Sequence, residues 1–145
     1  MQFNLIFFDM SQYKVGIIGA TGAVGAEMIK VLKDREFPVS ELHLFASERS
    51  AGKKLETPFG EKEVELFSVD AAKEMDFVLL AVGGDFAREF APQIAVEGGA
   101  IVIDNSSAFR YDDEIPLVVP EINGDAAKGA KLIANPNCTT AILAV

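Results

Sequence analysis

Apolar residues fall along this chain in two alternating rhythms, short continuous runs and helix-spaced stripes. Lys14-Val15-Gly16-Ile17-Ile18 is a β-rich run ending at a glycine turn, as a strand buried on both faces does. Over residues 23–33 the period changes: Val24, Met28, Ile29 and Leu32 share one helical face, leaving Lys30 and Lys33 to water and the helix C-terminus. Pro38 stops that segment, and Leu42-His43-Leu44-Phe45 reads as a second strand. Residues 53–57 and 62–67 flank Pro58-Phe59-Gly60 and predict a hairpin. Phe77-Val78-Leu79-Leu80-Ala81-Val82, bounded by Asp76 and Gly83-Gly84, predicts a central parallel strand. Residues 85–97 return to helical spacing, with Phe86, Phe90 and Ile94 on one stripe and Pro92 as a local irregularity. After Gly98-Gly99, Ala100-Ile101-Val102-Ile103 is another buried strand, and Leu117-Val118-Val119 and Lys131-Leu132-Ile133-Ala134 are the last strand candidates. Strands alternating with helices predict an α/β fold, a doubly wound, mostly parallel sheet with helices on both faces.

The turn after the first strand sharpens this picture. Gly19-Ala20-Thr21-Gly22-Ala23-Val24-Gly25 sits between a strand and a helix, where a dinucleotide-binding turn belongs, so the sheet is predicted to be Rossmann-like. Gly19 permits the tight turn, Gly22 lets backbone approach a pyrophosphate, and Gly25 lets helix and strand pack closely; the diphosphate then meets free N–H groups at the helix start. The alternative is a purely structural turn. Beyond the second strand, Ser47, Arg49 and Ser50 offer donors for a 2′-phosphate and favour NADP, whereas Glu48 suits the ribose hydroxyls of NAD. The same stretch also reads as an ordinary polar loop.

Composition adds exclusions. The chain has 145 residues, half of them apolar, enough for one domain with a core. A net charge of −9 argues against nucleic acid, because no basic patch is available to release counterions. No apolar run reaches the about 18 residues that span a membrane. Residues 1–9 lack the basic start and small-residue cleavage site of a signal peptide, and no transit peptide is evident. They are expected to be a non-core extension, an upstream mis-start or cloning remnant rather than an extra strand. Residues 10–145 then form the domain.

Candidate chemistry lies near the other end. Cys138 is the single cysteine, which excludes an internal disulfide, fits a reducing, cytoplasmic setting and leaves a plastid open for a eukaryotic source. It follows Asn135-Pro136-Asn137 and opens a run that can start a helix, whose dipole favours thiolate. A small buried apolar cysteine is the competing reading. A reactive cysteine needs a base, and the single histidine, His43, lies inside a predicted strand far along the chain, where packing or solvation explains it better. Asp104-Asn105-Ser106-Ser107-Ala108-Phe109-Arg110 follows a strand, where ligands sit in such sheets. Arg110 with Asn105, Ser106 and Ser107 could bind a phosphate through charge-assisted hydrogen bonds; an incidental surface arginine is the alternative.

In their order and spacing, five segments resemble aspartate-β-semialdehyde dehydrogenases over essentially all of residues 13–145. They are Gly19-Ala20-Thr21-Gly22-Ala23-Val24-Gly25, Ser47-Glu48-Arg49-Ser50-Ala51-Gly52, Asp104-Asn105-Ser106-Ser107-Ala108-Phe109-Arg110, Val119-Pro120-Glu121-Ile122-Asn123 and Pro136-Asn137-Cys138-Thr139-Thr140. The resemblance implies that Cys138 is the nucleophile, attacking β-aspartyl phosphate to release phosphate and form a thioester that NADPH reduces to aspartate β-semialdehyde. It implies Asn137 beside the cysteine, Arg110 at the substrate phosphate or inorganic phosphate, and Ser47, Arg49 and Ser50 at the 2′-phosphate. It implies no metal, and a product feeding lysine, threonine, methionine and diaminopimelate synthesis. Family members continue into a second α+β domain that carries a glutamine, a histidine base, an arginine for the substrate carboxylate and most of the dimer interface. That domain is expected to be absent from this chain. The chain alone is therefore expected to bind NADP weakly without turnover, and the complete protein to be a homodimer or homotetramer. A non-catalytic nicotinamide-nucleotide-binding module and N-acetyl-γ-glutamyl-phosphate reductase are the alternatives.

Overall fold

The computed structural model describes residues 12–145, so the expected extension at residues 1–9 lies outside the described part. Seven strands form one sheet in the order β3-β4-β2-β1-β5-β6-β7: β1 (Tyr13–Ile18), β2 (Val39–Ala46), β3 (Lys54–Thr57), β4 (Gly60–Leu66), β5 (Phe77–Leu80), β6 (Ile101–Asp104) and β7 (Leu132–Ala134). Every neighbouring pair is parallel except the β3–β4 hairpin. The chain runs outward from β1 to β2 and β4 on one side, then crosses back to β5, β6 and β7 on the other. That reversal between β1 and β5 is the switch point at which open α/β sheets bind ligands.

Two apolar layers coat the sheet. Val15, Ile17, Leu42 and Leu44 pack with Ile29 of α1 (Ala23–Asp34) on one face. Ile18, Phe45, Val78, Leu80 and Val102 pack on the other against α2 (Val69–Lys73) and α3 (Gly84–Ile94). The period-2 alternation of strand side chains sends neighbouring residues to opposite layers, which is why these strands read as unbroken apolar runs.

Several elements differ from expectation. Val24, placed by periodicity on the packed face of α1, is 48% exposed, because Gly25 and Ile29 are the positions that the helix turns into the core. The face of α3 in the core is Ala87, Ala91 and Ile94, with Phe86 and Phe90 joining Phe67 in an aromatic group beside it. Helix α3 ends at Ile94, short of the expected residue 97. The stretch 117–119 is not a strand: Leu117 makes one bridge to Ala134, and the chain turns at once into α4 (Pro120–Asn123) and a 3-10 turn (Gly124–Ala127). Pro120 explains this, since it has no N–H for a ladder but suits a first helical turn. Helix α2 was not legible as a helix because one turn carries no periodicity. Its N-cap is Ser68, whose hydroxyl accepts from the Ala71 N–H.

Candidate active site

Because β1, β2, β4, β5, β6 and β7 run parallel, the loops that follow them all emerge on one rim. The rim holds the glycine turn after β1, residues 47–50 after β2, Phe67 after β4, Val82 after β5, the Asn105–Arg110 segment after β6, and the loop to Cys138 after β7. The sheet thus brings together segments as distant in sequence as Gly19 and Cys138.

The three glycines of the turn do different work. Gly19 has φ +84°, and a Cβ there would lie 2.3 Å from the Ala81 carbonyl oxygen, so both conformation and space demand glycine. At Gly25 a Cβ would come within 2.5 Å of the Gly19 oxygen and 2.7 Å of the Ala20 Cα. Gly22 is ordinary extended backbone, and the nearest atom to its virtual Cβ is 3.5 Å away. The protein itself makes no steric demand at Gly22; the open space there lies over the start of α1. No side chain caps that helix, and its first turn holds no acidic residue, so its amides are open to an anion. Ala20 is buried beneath the turn, its side chain in the core layer, whereas Thr21, Ala23 and Val24 are exposed.

Beside the turn lies a cleft of about 450 Å³ lined by Gly19, Thr21, Ser47, Glu48, Arg49 and Ser50. Its apolar wall is made by Leu66, Phe67, Val82 and Phe86. A flat apolar wall, a polar end and an uncapped helix start match the three parts of a dinucleotide, and the residues fit such a group. Ser50 is buried in the bend that Ser47 closes by accepting from the Ser50 and Ala51 N–H groups. Glu48 and Arg49 both line the cleft. The wall residues were missed from sequence because their periodicity reads as core; for Phe67 and Val82 their position just after β4 and β5 was the available signal.

On the other half of the rim, Arg110 joins two loops. Its Nε donates to the Asn135 carbonyl (3.0 Å) and its Nη2 to the Asn105 carbonyl (3.1 Å). Asn135 Nδ2 donates to Asn105 Oδ1 at 2.7 Å. Sequence reasoning gave Asn135 no role. Ser106 departs from expectation: it is buried, its hydroxyl donates to Asp104 Oδ2 (2.7 Å) and accepts from the Ala108 N–H (3.0 Å). Asp104, fully buried, also accepts from the Ser106 N–H at 2.9 Å. That knot folds the loop and leaves the Ser106 hydroxyl engaged with the protein; Ser107 is exposed.

Cys138 is exposed at the start of α5 (Cys138–Ala144), which excludes the buried-core reading. Asn137 is the N-cap: its Oδ1 accepts from the Thr139 N–H at 2.9 Å and lies 4.0 Å from Sγ. His43 is separated from this rim segment by β1, β5 and β6, and its ring pairs with Glu65 at 2.8 Å and Glu41 at 3.4 Å. Its contact, followed by that of Lys14, holds the Glu41 carboxyl below its ordinary pKa. Among the described residues no histidine therefore stands near Cys138, no group of three or more metal-ligating side chains is placed to hold an ion, and no helix is long and apolar enough to cross a membrane.

Comparison with known proteins agrees with this geometry. A family model described as semialdehyde dehydrogenase, NAD binding domain, matches residues 14–130. An aspartate-semialdehyde dehydrogenase of Synechocystis sp. is 48% identical over 136 residues, covering 93% of this chain and 40% of that protein. The structure of aspartate semialdehyde dehydrogenase II from Vibrio cholerae, complexed with ASA, superposes with a TM-score of 0.82 at 46% identity, over 92% of this chain and 44% of the other. The Candida albicans enzyme with NADP gives 0.69 at 29% identity, over 89% and 44%. The chain spans about 40% of the length of the curated relatives it matches. With the glycine turn, the cleft and the capped cysteine on one rim, it belongs to the aspartate-semialdehyde dehydrogenase family, of which it carries the N-terminal NAD(P)-binding region.

Proposed function

We propose that residues 10–145 supply the dinucleotide-binding domain and the nucleophile of an NADP-dependent, phosphorylating aspartate-semialdehyde dehydrogenase. In this reading β-aspartyl phosphate is reduced to aspartate β-semialdehyde, a precursor of lysine, threonine, methionine and diaminopimelate. The observation that carries it is the shared rim: the cleft lined by Gly19 and Thr21, the Arg110–Asn105–Asn135 hydrogen-bonded cluster and Cys138 all follow the carboxyl ends of parallel strands of one sheet.

Cys138 Sγ, as thiolate, attacks the acyl carbon; the C–S bond forms and phosphate leaves with the electrons of the acyl C–O bond. A nicotinamide dinucleotide held by the Gly19–Gly25 turn and the cleft of Ser47, Arg49 and Ser50 would supply the hydride that reduces the thioester carbonyl carbon. When the C–S bond then breaks, its electrons return to Sγ. Asn137 keeps Sγ at the helix start by capping α5. Arg110 uses Nε and one Nη2 hydrogen on main-chain carbonyls, so its remaining N–H groups serve the departing phosphate. Gly22 and the first turn of α1 take the diphosphate, while Ser47, Arg49 and Ser50 take the 2′-phosphate. The proton of the Cys138 thiol needs a base from outside residues 12–145. The complete protein in this reading is a cytoplasmic homodimer or homotetramer.

The test is phosphate-dependent reduction of NADP with aspartate β-semialdehyde by the full-length enzyme. C138A should abolish it while leaving NADP affinity within twofold, and R49A should weaken NADP more than NAD. Activity that survives C138A would refute the thioester route, and NADP binding without turnover in the unmutated full-length protein would favour a nucleotide-binding module. Turnover of N-acetyl-γ-glutamyl phosphate in preference to β-aspartyl phosphate would identify the related reductase.

A further inference from the structure

Asn135 does three things on the rim, and its main chain accounts for two of them. Its N–H donates to the Asp104 carbonyl at 2.8 Å, and its carbonyl accepts from Arg110 Nε at 3.0 Å. Ala134, one residue earlier, is tied by its N–H to the Pro116 carbonyl at 2.9 Å and by its carbonyl to the Val118 N–H at 3.1 Å. The loop leading to Cys138 is therefore anchored without any contribution from the Asn135 side chain. That side chain has one partner among the described residues, the Oδ1 of Asn105, to which its Nδ2 donates at 2.7 Å.

The consequence falls on Asn105. A primary amide carries an acceptor at one end and two donors at the other, and a rotation of half a turn exchanges them. The main chain of Asn105 is fixed, its N–H on the Leu80 carbonyl (3.3 Å) and its carbonyl under Arg110 Nη2 (3.1 Å). What remains free is the amide rotation, and Asn135 fills the Oδ1 end. The Nδ2 donors of Asn105 are left without a protein partner among the described residues, on the same loop pair as the unused N–H groups of Arg110.

We propose that Asn135 is a positioning residue: by donating to Asn105 Oδ1 it turns the Asn105 N–H groups toward the phosphoryl group of the substrate, so that Asn105 and Arg110 together present only donors to an anion. This deepens the reading of the rim as a phosphate site and rests on it. Reversal of the Asn105 amide would set oxygen lone pairs against phosphate oxygens, replacing an attraction by a repulsion.

The experiment is a double-mutant cycle in the full-length enzyme, read as KM for inorganic phosphate, KM for NADP and kcat. The substitution N135D is nearly isosteric but puts an acceptor where the amide donates, so it draws the Asn105 N–H groups away from the site. N135D should raise the phosphate KM roughly tenfold or more, the scale of a hydrogen bond to a charged group, with the NADP KM within twofold. N105A should raise it too, and N105A/N135D should be no worse than N105A, because no amide remains to be turned. An unchanged phosphate KM in N135D, an equal effect of N135D with and without Asn105, or a fall in kcat alone would overturn the proposal. If N105A leaves the phosphate KM unchanged, the phosphate-site reading itself fails and the positioning role falls with it. Should N135D not fold, side-chain amide NMR of the unmutated enzyme decides: phosphate should shift the Asn105 N–H resonances and leave those of Asn135 in place, and the reverse overturns the proposal.

Discussion

Two alanine substitutions in one turn should have opposite consequences. In Gly25→Ala the new Cβ would meet the Gly19 oxygen at 2.5 Å and the Ala20 Cα at 2.7 Å, both main-chain atoms that no rotamer change can move. Helix α1 must shift away from β1, and with two main-chain clashes the cost falls in the upper part of the overpacking range, about 2–3 kcal/mol. Alanine recovers up to about 1 kcal/mol of helix propensity, leaving a net loss of about 1–2 kcal/mol and a fall in melting temperature of roughly 3–10 °C. In Gly22→Ala the nearest atom is 3.5 Å away and φ is −86°, so only the modest preference for Gly over Ala at an N-cap is lost, about 0.5 kcal/mol. The added methyl nevertheless enters the space over the uncapped start of α1, where a diphosphate would press against backbone. Thermal melts by circular dichroism and NADP titration by calorimetry on both variants separate the effects. Gly22→Ala should melt within about 2 °C of the parent yet lose at least tenfold in NADP affinity, whereas Gly25→Ala should lose both. Unchanged binding in Gly22→Ala would refute the assignment of that space to the diphosphate. A melt as low as that of Gly25→Ala would refute the steric argument.

Arg110→Ala removes two hydrogen bonds that join the loops after β6 and β7, and should cost about 1–3 kcal/mol, read in urea unfolding. Lysine, with no planar fork, should rescue less than half of it. Asn137→Ala deletes the cap of α5 and should lower stability by about 1 kcal/mol, with faster amide exchange confined to residues 138–144; native-state alkylation of exposed Cys138 should proceed in the parent without denaturant. Glu41 titrates below its ordinary value in the folded chain, chiefly through His43. Its contribution to stability is therefore present above the unfolded carboxylate pKa and disappears as pH falls through the lowered folded value. In His43→Ala, NMR titration should find the Glu41 pKa raised toward the ordinary one.

The periodicity of apolar positions determined the strand–helix alternation, and with it a parallel sheet whose loops share one rim, because parallel strands joined by crossover helices allow little else. Local chemistry was equally legible: a glycine triplet between a strand and a helix, a hairpin around Pro58-Phe59-Gly60, and an asparagine before a lone cysteine each state their geometry within a few residues. Tertiary structure decided what depends on partners distant in sequence. It exposed Val24, used Ser106 to fold its own loop on buried Asp104, and turned Arg110 into a brace between Asn105 and Asn135. Sequence periodicity reports which face of an element is apolar but not where the neighbouring layer ends. Composition likewise names a polar side chain's donors and acceptors, while the fold chooses which of them the protein keeps and which it leaves free for a ligand.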